Sequence, residues 1–196
     1  MHADPPDHQL IGSARAGDER AFRLLVERYE PVVAATVIGM LGPGDDADDV
    51  GQETFIRFYR ALGDFRGEAS VKTYLRRIAV NLSLNALKRR RRFALRFLSR
   101  DRAPQPLPEP PVEGGCEMEA REAQARVRAA IDRLGPKHRP VVVLRMIDGC
   151  STRETAEVLG VPEGTVLSRL SRALEQLAAD LRPYVHDVME TTEERR

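Results

Sequence analysis

Tryptophan is absent from this 196-residue chain, and aromatic residues supply only 5% of it. Few stretches are rich in Val, Ile and Thr, so the usual material of β-sheets is scarce. Leu, Ala, Arg and Glu dominate instead, and such residues favour helices. Cysteine is nearly missing: Cys116 and Cys150 are too few for a disulfide framework and lack metal-ligand spacing. Two reduced thiols in a cytosolic protein are the expectation. No apolar run approaches the roughly 18 residues of a membrane span, and the first thirty residues alternate charged and apolar types rather than forming a signal peptide. A cytoplasmic protein without membrane insertion is expected. Excess charge is missing too: the net value is +1. That total decides nothing about nucleic acid, but the charges lie in blocks of one sign, and such blocks mark partner surfaces.

Proline, by contrast, is concentrated. Residues 104–111 read Pro-Gln-Pro-Leu-Pro-Glu-Pro-Pro, with Gly114 and Gly115 following. Proline lacks the backbone donor and clashes with the preceding helical turn, so this stretch is extended or irregular. The chain therefore divides into a domain at 1–96, a linker at 97–116, a smaller domain at 117–183 and a tail at 184–196. Both domains read as all-α. Fully extended, the linker would span about 60–70 Å, nearly two turns of duplex DNA at roughly 34–36 Å per turn.

In the first domain, helices are expected at about 7–16, from Asp18 to Leu41 with a bend near Pro31, from the acidic block Asp45, Asp46, Asp48 and Asp49 through Phe58, and at 70–92 capped by Ser70. Acids at a helix start suit the positive end of its dipole. The second domain has helices at about 117–133, 137–147, 152–159 and 162–181, with Pro140 a candidate first-turn residue. Ser151 and Glu154 fit a capping box.

The strongest local pattern is Thr152-Arg-Glu-Thr-Ala156-Glu-Val-Leu159-Gly160-Val161-Pro162-Glu-Gly-Thr-Val166. Ala156 permits close helix approach, Gly160 permits a tight turn, and Val161 and Val166 fill the corner. Val166, Leu170, Ala173 and Leu177 form one stripe of the second helix. Ser168, Ser171, Arg172 and Glu175 lie opposite, with Thr165 and Arg169 on a flank. Short polar and arginine side chains on such a face suit major-groove reading. The plainer alternative is a helical hairpin with Arg169 and Arg172 merely solvated.

The helix at 70–92 turns Val71, Leu75, Ile78, Leu82 and Ala86 inward. Tyr74, Arg77, Asn81, Asn85, Lys88 and Arg92 project together from another side. Amides there can bond base edges while cations hold phosphates. The run Lys88-Arg89-Arg90-Arg91-Arg92 adds dense positive charge. Phe65, between Gly63 and Gly67, either holds an unstacked base or plugs the helix junction.

Taken in order, these segments resemble the extracytoplasmic-function sigma factors of the sigma-70 family over about residues 8–183. The second-region resemblance runs Asp48-Asp49-Val50-Gly51-Gln52-Glu53-Thr54-Phe55, then Phe65-Arg66-Gly67, then Tyr74 to Asn81. The fourth-region resemblance runs Ile131-Asp132-Arg133-Leu134, Leu144 to Gly149, and the helix-turn-helix to Leu174. The resemblance implies a transcription-initiation subunit, not an enzyme, with no cofactor and no metal. It implies docking of Asp49, Gln52, Glu53 and Arg57 on core RNA polymerase, whose beta-prime clamp and beta flap are the implied contacts. Phe65, Arg77, Asn81, Asn85, Lys88 and Arg92 would read the minus-ten element, one base being flipped. Thr165, Ser168, Arg169, Ser171 and Arg172 would read the minus-thirty-five element. An anti-sigma factor is an implied partner beside promoter DNA. The chain departs from the family at Gly51, where a large aliphatic residue is usual. It departs again at Val71 and Tyr74, and at Leu167 and Leu174, which replace frequent basic residues. Gly51 predicts a docking helix that starts late or is locally loose.

Two other readings compete. A stand-alone helix-turn-helix regulator would be a dimer on palindromic sites, and it leaves the acidic helix unexplained. A metal-dependent nuclease would use Asp45, Asp46, Asp48, Asp49 and Glu53, but these lack a calcium-loop arrangement.

Overall fold

The computed structural model describes residues 5–97 and 115–193. Among them are only helices: α1 (Asp7–Arg15), α2 (Glu19–Leu41), α3 (Asp45–Ala61), α4 (Val71–Phe97), α5 (Gly115–Arg133), α6 (Arg139–Val142), α7 (Thr152–Leu159) and α8 (Glu163–Glu193). A π-helical turn at Val143–Ile147 extends α6. The all-α expectation holds, and most helix starts fall within two residues of the sequence reading. The proline-rich linker lies outside the described residues.

In the first half, α1 to α4 enclose Leu25, Val33, Val37, Met40, Phe58, Leu75 and Ala79, all at most 1% exposed. Local chemistry starts each helix. The Asp18 carboxylate accepts the Arg20 and Ala21 N–H groups at 2.9 and 3.2 Å, and the Ser70 hydroxyl accepts the Thr73 N–H at 3.1 Å. Asp7 ties α1 to α2 through Arg28 at 2.5 Å and through the Tyr29 hydroxyl. Burial, then that bond to a carboxylate, pushes the Tyr29 phenol well above its ordinary range.

Helix α2 continues through Pro31 as one element. Helix α3 likewise begins at Asp45 and runs unbroken through Gly51, so the late start expected from the glycine does not occur. The rest of the helix carries it, with Ala47, Val50, Thr54 and Phe58 all buried against the bundle. A Cβ at Gly51 would meet nothing within 4 Å. Gly51→Ala is accordingly expected to stabilise the fold by about 0.5–1 kcal/mol in urea unfolding.

In the second half, Pro140 stands in the first turn of α6, as expected. The π turn was not foreseen, because a wider turn leaves no periodic signature in five residues. Ser151 and Glu154 close a reciprocal capping box: Ser151 N–H donates to the Glu154 carboxylate at 2.7 Å, and Glu154 N–H to the Ser151 hydroxyl at 3.1 Å. The Ser151 backbone N–H, and then the Ser151 hydroxyl, hold the Glu154 carboxyl below the usual range. A depressed pKa contributes stability above the unfolded-state value, lost as pH falls below about 4.3. Glu154→Gln should flatten that acid limb, and Ser151→Ala should cost about 1 kcal/mol in thermal or urea unfolding. Helix α8 passes Pro183 and continues to Glu193, beyond the 181 expected.

The two halves pack on one another. The π turn lies against α2, where Gly39 brings the backbone close to Val143. Helix α7 lies against α4, with Val80, Leu144, Cys150 and Val158 buried between them.

Candidate nucleic-acid interface

Helix α4 presents its polar face as its periodicity dictates. Val71, Leu75, Leu82 and Ala86 are buried and Ile78 is half-buried, while Arg77, Asn81, Asn85, Lys88 and Arg92 are all exposed. The two asparagines, one turn apart, lie between the Arg77 end and the cationic end of the helix. Tyr74 differs from its expected place. It is half-buried, with its ring 5.2 Å from Phe65 and 6.0 Å from Phe58. The apolar ring gains more by joining this cluster than by standing in water.

Phe65 plugs the helix junction, one of the two roles weighed for it. Its ring packs edge-on to Phe58 and Tyr74 at 6.0 and 5.2 Å. Its ring also borders a cleft of about 350 Å³ that Arg66, Tyr74 and Arg77 line together with the acidic Asp64 and Glu68. Gly67 has φ +72, a conformation that favours glycine and turns the chain back toward α4. The cleft thus joins an aromatic wall to two guanidinium groups and two carboxylates, beside the asparagine face. Arg66 was not singled out as a site residue, although its place inside the Phe-Arg-Gly turn was the available signal.

The block at 88–92 does not act as one patch. Arg90 is drawn to Asp46 at the start of α3 and donates to the Leu41 carbonyl at 3.1 Å. Lys88, Arg89, Arg91 and Arg92 remain on the exposed surface.

In the helix-turn-helix, Gly160 adopts the left-handed conformation (φ 63), and Ala156, Val158 and Val166 are buried at the corner. On α8, Ala173 is buried, and Leu170 and Leu177 are half-buried against Leu134 and Val142. Ser168, Ser171 and Arg172 are exposed, while Thr165 and Arg169 are half-buried on the flank. The Ser171 hydroxyl donates to Glu175 at 3.1 Å, so a base contact by Ser171 must replace that bond. Leu167 and Leu174, at 55% and 41% exposure, present apolar surface where phosphate-binding cations were expected in the family.

Helix α3 offers a third surface. Asp49, Gln52 and Arg57 are exposed, Glu53 is half-buried, and Arg57 pairs with Glu53 at 2.8 Å. Beside them Val26, Val33, Val37, Gly51 and Phe55 floor a groove of about 500 Å³ between α2 and α3, rimmed by Glu30, Asp48 and Gln52. Ile56 and Tyr59 extend it as exposed apolar surface at 44% and 51%. Among the described residues no three His, Cys, Asp or Glu side chains are grouped so as to hold a metal ion, and no helix is long and apolar enough to cross a membrane.

Known proteins share this arrangement. The family model for sigma-70 region 2 matches residues 25–93, and the model for sigma-70 region 4 matches residues 124–177. These two regions, in this order, define a sigma factor. The RNA polymerase sigma-H factor of Pseudomonas aeruginosa is 34% identical, over 95% of this chain and 100% of that protein. The ECF RNA polymerase sigma-E factor of Escherichia coli K12 is also 34% identical, over 91% and 96%. The structure of CnrH in complex with the cytosolic domain of CnrY aligns with a TM-score of 0.64 at 32% identity, over 90% of this chain and 97% of that one. The sigma factor RpoE of Bartonella quintana, solved with the anti-sigma factor NepR, aligns with a TM-score of 0.62 over 82% and 96%; at 22% identity it shows likeness of fold. The chain belongs to the extracytoplasmic-function sigma factors of the sigma-70 family. It is a promoter-specific transcription-initiation subunit that binds core RNA polymerase, recognises minus-ten and minus-thirty-five elements and assists promoter melting.

Proposed function

We propose a division of that work among the three surfaces. The exposed face of α4, with Arg77, Asn81, Asn85, Lys88 and Arg92, reads the minus-ten element. The Phe65 cleft beside it receives an unpaired base of the non-template strand. Thr165, Ser168, Arg169, Ser171 and Arg172 read the minus-thirty-five element from the major groove. Asp49, Gln52, Glu53 and Arg57, with the groove between α2 and α3, dock on the beta-prime clamp, and the helix-turn-helix half meets the beta flap. The protein works in the cytoplasm, without a cofactor, and an anti-sigma factor holds it inactive. The observation that carries this reading is the continuity of the α4 face. Two exposed amides able to bond base edges stand between an aromatic-walled cleft and a cationic helix end.

Magnitudes explain why polymerase is required. Opening about ten base-pair steps costs roughly 1.4 kcal/mol each, about 14 kcal/mol in all. Each base stacked on an aromatic returns about 1–3 kcal/mol, and this cleft has room for few. The balance comes from the polymerase surface. Run-off transcription with purified core polymerase on a genomic library tests the reading: start sites should share two elements, and only holoenzyme should make thymines permanganate-reactive. Dimers of the isolated chain on palindromes, without polymerase binding, would favour a stand-alone regulator.

A further inference from the structure

Burial fixes the roll of α8 about its own axis. Val166 and Ala173 are fully buried, Val166 with Val141 and Ala156, Ala173 with Leu134 and Val142. Leu167 and Leu174 each follow one of them by a single residue, so they stand about 100° round the helix from the core. Both are exposed, and neither joins a buried cluster. One exposed leucine is ordinary on any surface. Here two share a flank of the reading helix, with Ser171 and Ala178 beside them, and that flank carries no charge. Thr165 and Arg169 occupy the opposite flank, and Ser168 and Arg172 lie between the two.

A helix with its side chains is about 10–12 Å across, and the major groove is about 12 Å wide and 8.5 Å deep. Such a helix fills the groove, so its flanks meet the groove walls while its outer face meets the floor. The flank of Thr165 and Arg169 can hold phosphates and base edges. The leucine flank can do neither, because a leucine side chain has no donor, acceptor or cation. What it can touch favourably is the thymine C5-methyl, the apolar group that a base pair presents in this groove. In a helix-turn-helix the N-terminal residues of the second helix come nearest the base edges. Leu167 is the fifth residue of α8, and Leu174 lies about 10 Å further along the axis. We infer that Leu167 is a specificity-determining residue that reads a thymine methyl in the minus-thirty-five element, with Leu174 past it and clear of the bases. A cation at this position would hold phosphate and favour all sequences alike. Leucine instead makes the contact depend on one base pair. This inference deepens the reading of α8 given above and rests on it.

Deoxyuridine in place of thymidine tests this, since it removes the methyl and keeps every hydrogen-bonding group of the base. Promoters recovered by run-off transcription supply the element. Holoenzyme assembled from the full chain is then titrated on duplexes in which each thymine of that element is replaced in turn. At least one replacement should weaken wild-type binding about four-fold, the worth of one buried methyl-sized group. Leu167→Ala should bind the two duplexes equally, to within about 1.5-fold, while Leu174→Ala keeps the wild-type discrimination. Leu167→Lys should also lose the discrimination, yet bind every sequence more tightly and steepen the slope of log K against log salt by about one. Helicity by circular dichroism should stay unchanged in all three, because neither leucine is part of the core. An element with no thymine whose replacement matters, or equal discrimination by wild type and Leu167→Ala, would overturn the assignment. So would unchanged discrimination accompanied by loss of a dimer of the free chain in Leu167→Ala, which would give the flank to self-association. Start sites that share no second element would sink the two-element reading itself, and this assignment with it.

Discussion

Asn81→Ala combined with Asn85→Ala is expected to reduce run-off transcription about a hundredfold or more, since a good amide contact to a base edge is worth about 1–3 kcal/mol. Both side chains are exposed on α4 and neither contributes to the core. Alanine at an exposed helical position is, if anything, favourable, so lost folding would not explain the defect. Co-migration with core polymerase on size exclusion should be unchanged, because the proposed docking surface is on α3. The two readouts together discriminate: transcription falling with intact polymerase binding assigns the loss to promoter reading or melting. Transcription at wild-type level would remove the minus-ten element from this face. Each single variant should show about half the combined free-energy loss where the residues act independently.

Arg169→Ala and Arg172→Ala are expected to have the second largest effect, on affinity for a minus-thirty-five duplex. An arginine bidentate to guanine is worth about 1–3 kcal/mol and its loss relaxes the preference at one base pair. An arginine on a phosphate weakens all sequences alike and lowers the slope of log K against log salt by about one. Arg172 is exposed and Arg169 half-buried on the flank, so the base contact is expected from Arg172 and the phosphate contact from Arg169. Titration at several salt concentrations, on matched and mismatched duplexes, separates them. With Leu167 and Leu174 exposed where cations are frequent in the family, the wild-type salt slope should be shallow, and one lost phosphate contact should be easy to see.

Much of this site was legible in the sequence because it is local. The capping box, the Gly160 turn and the buried stripe of α8 are set by residues within a turn or two of one another. The asparagine face of α4 follows from helical period alone. Other features needed partners distant in sequence. Tyr74 shares the face of Asn81 on a helical wheel, yet Phe58 and Phe65 draw its ring inward. Arg90 sits within five consecutive cations, yet Asp46, far off in sequence, removes it from the patch. Gly51 lowers intrinsic helix stability, but burial along the rest of α3 overrides that preference.

Helix content, the order of the two regions and the polar faces of α4 and α8 were thus written in spacing and composition, because a helix displays its sequence with a fixed period. The relation between the halves was not. A chain with a proline-rich segment allows them to stand far apart or pack together, and only the fit of Val143 against Gly39 and of Asp148 between Arg76 and Thr36 selects the packed arrangement. Such contacts join residues about 70 to 110 positions apart and leave no period to read. They arise from shape and desolvation at a surface that exists only once both halves have folded.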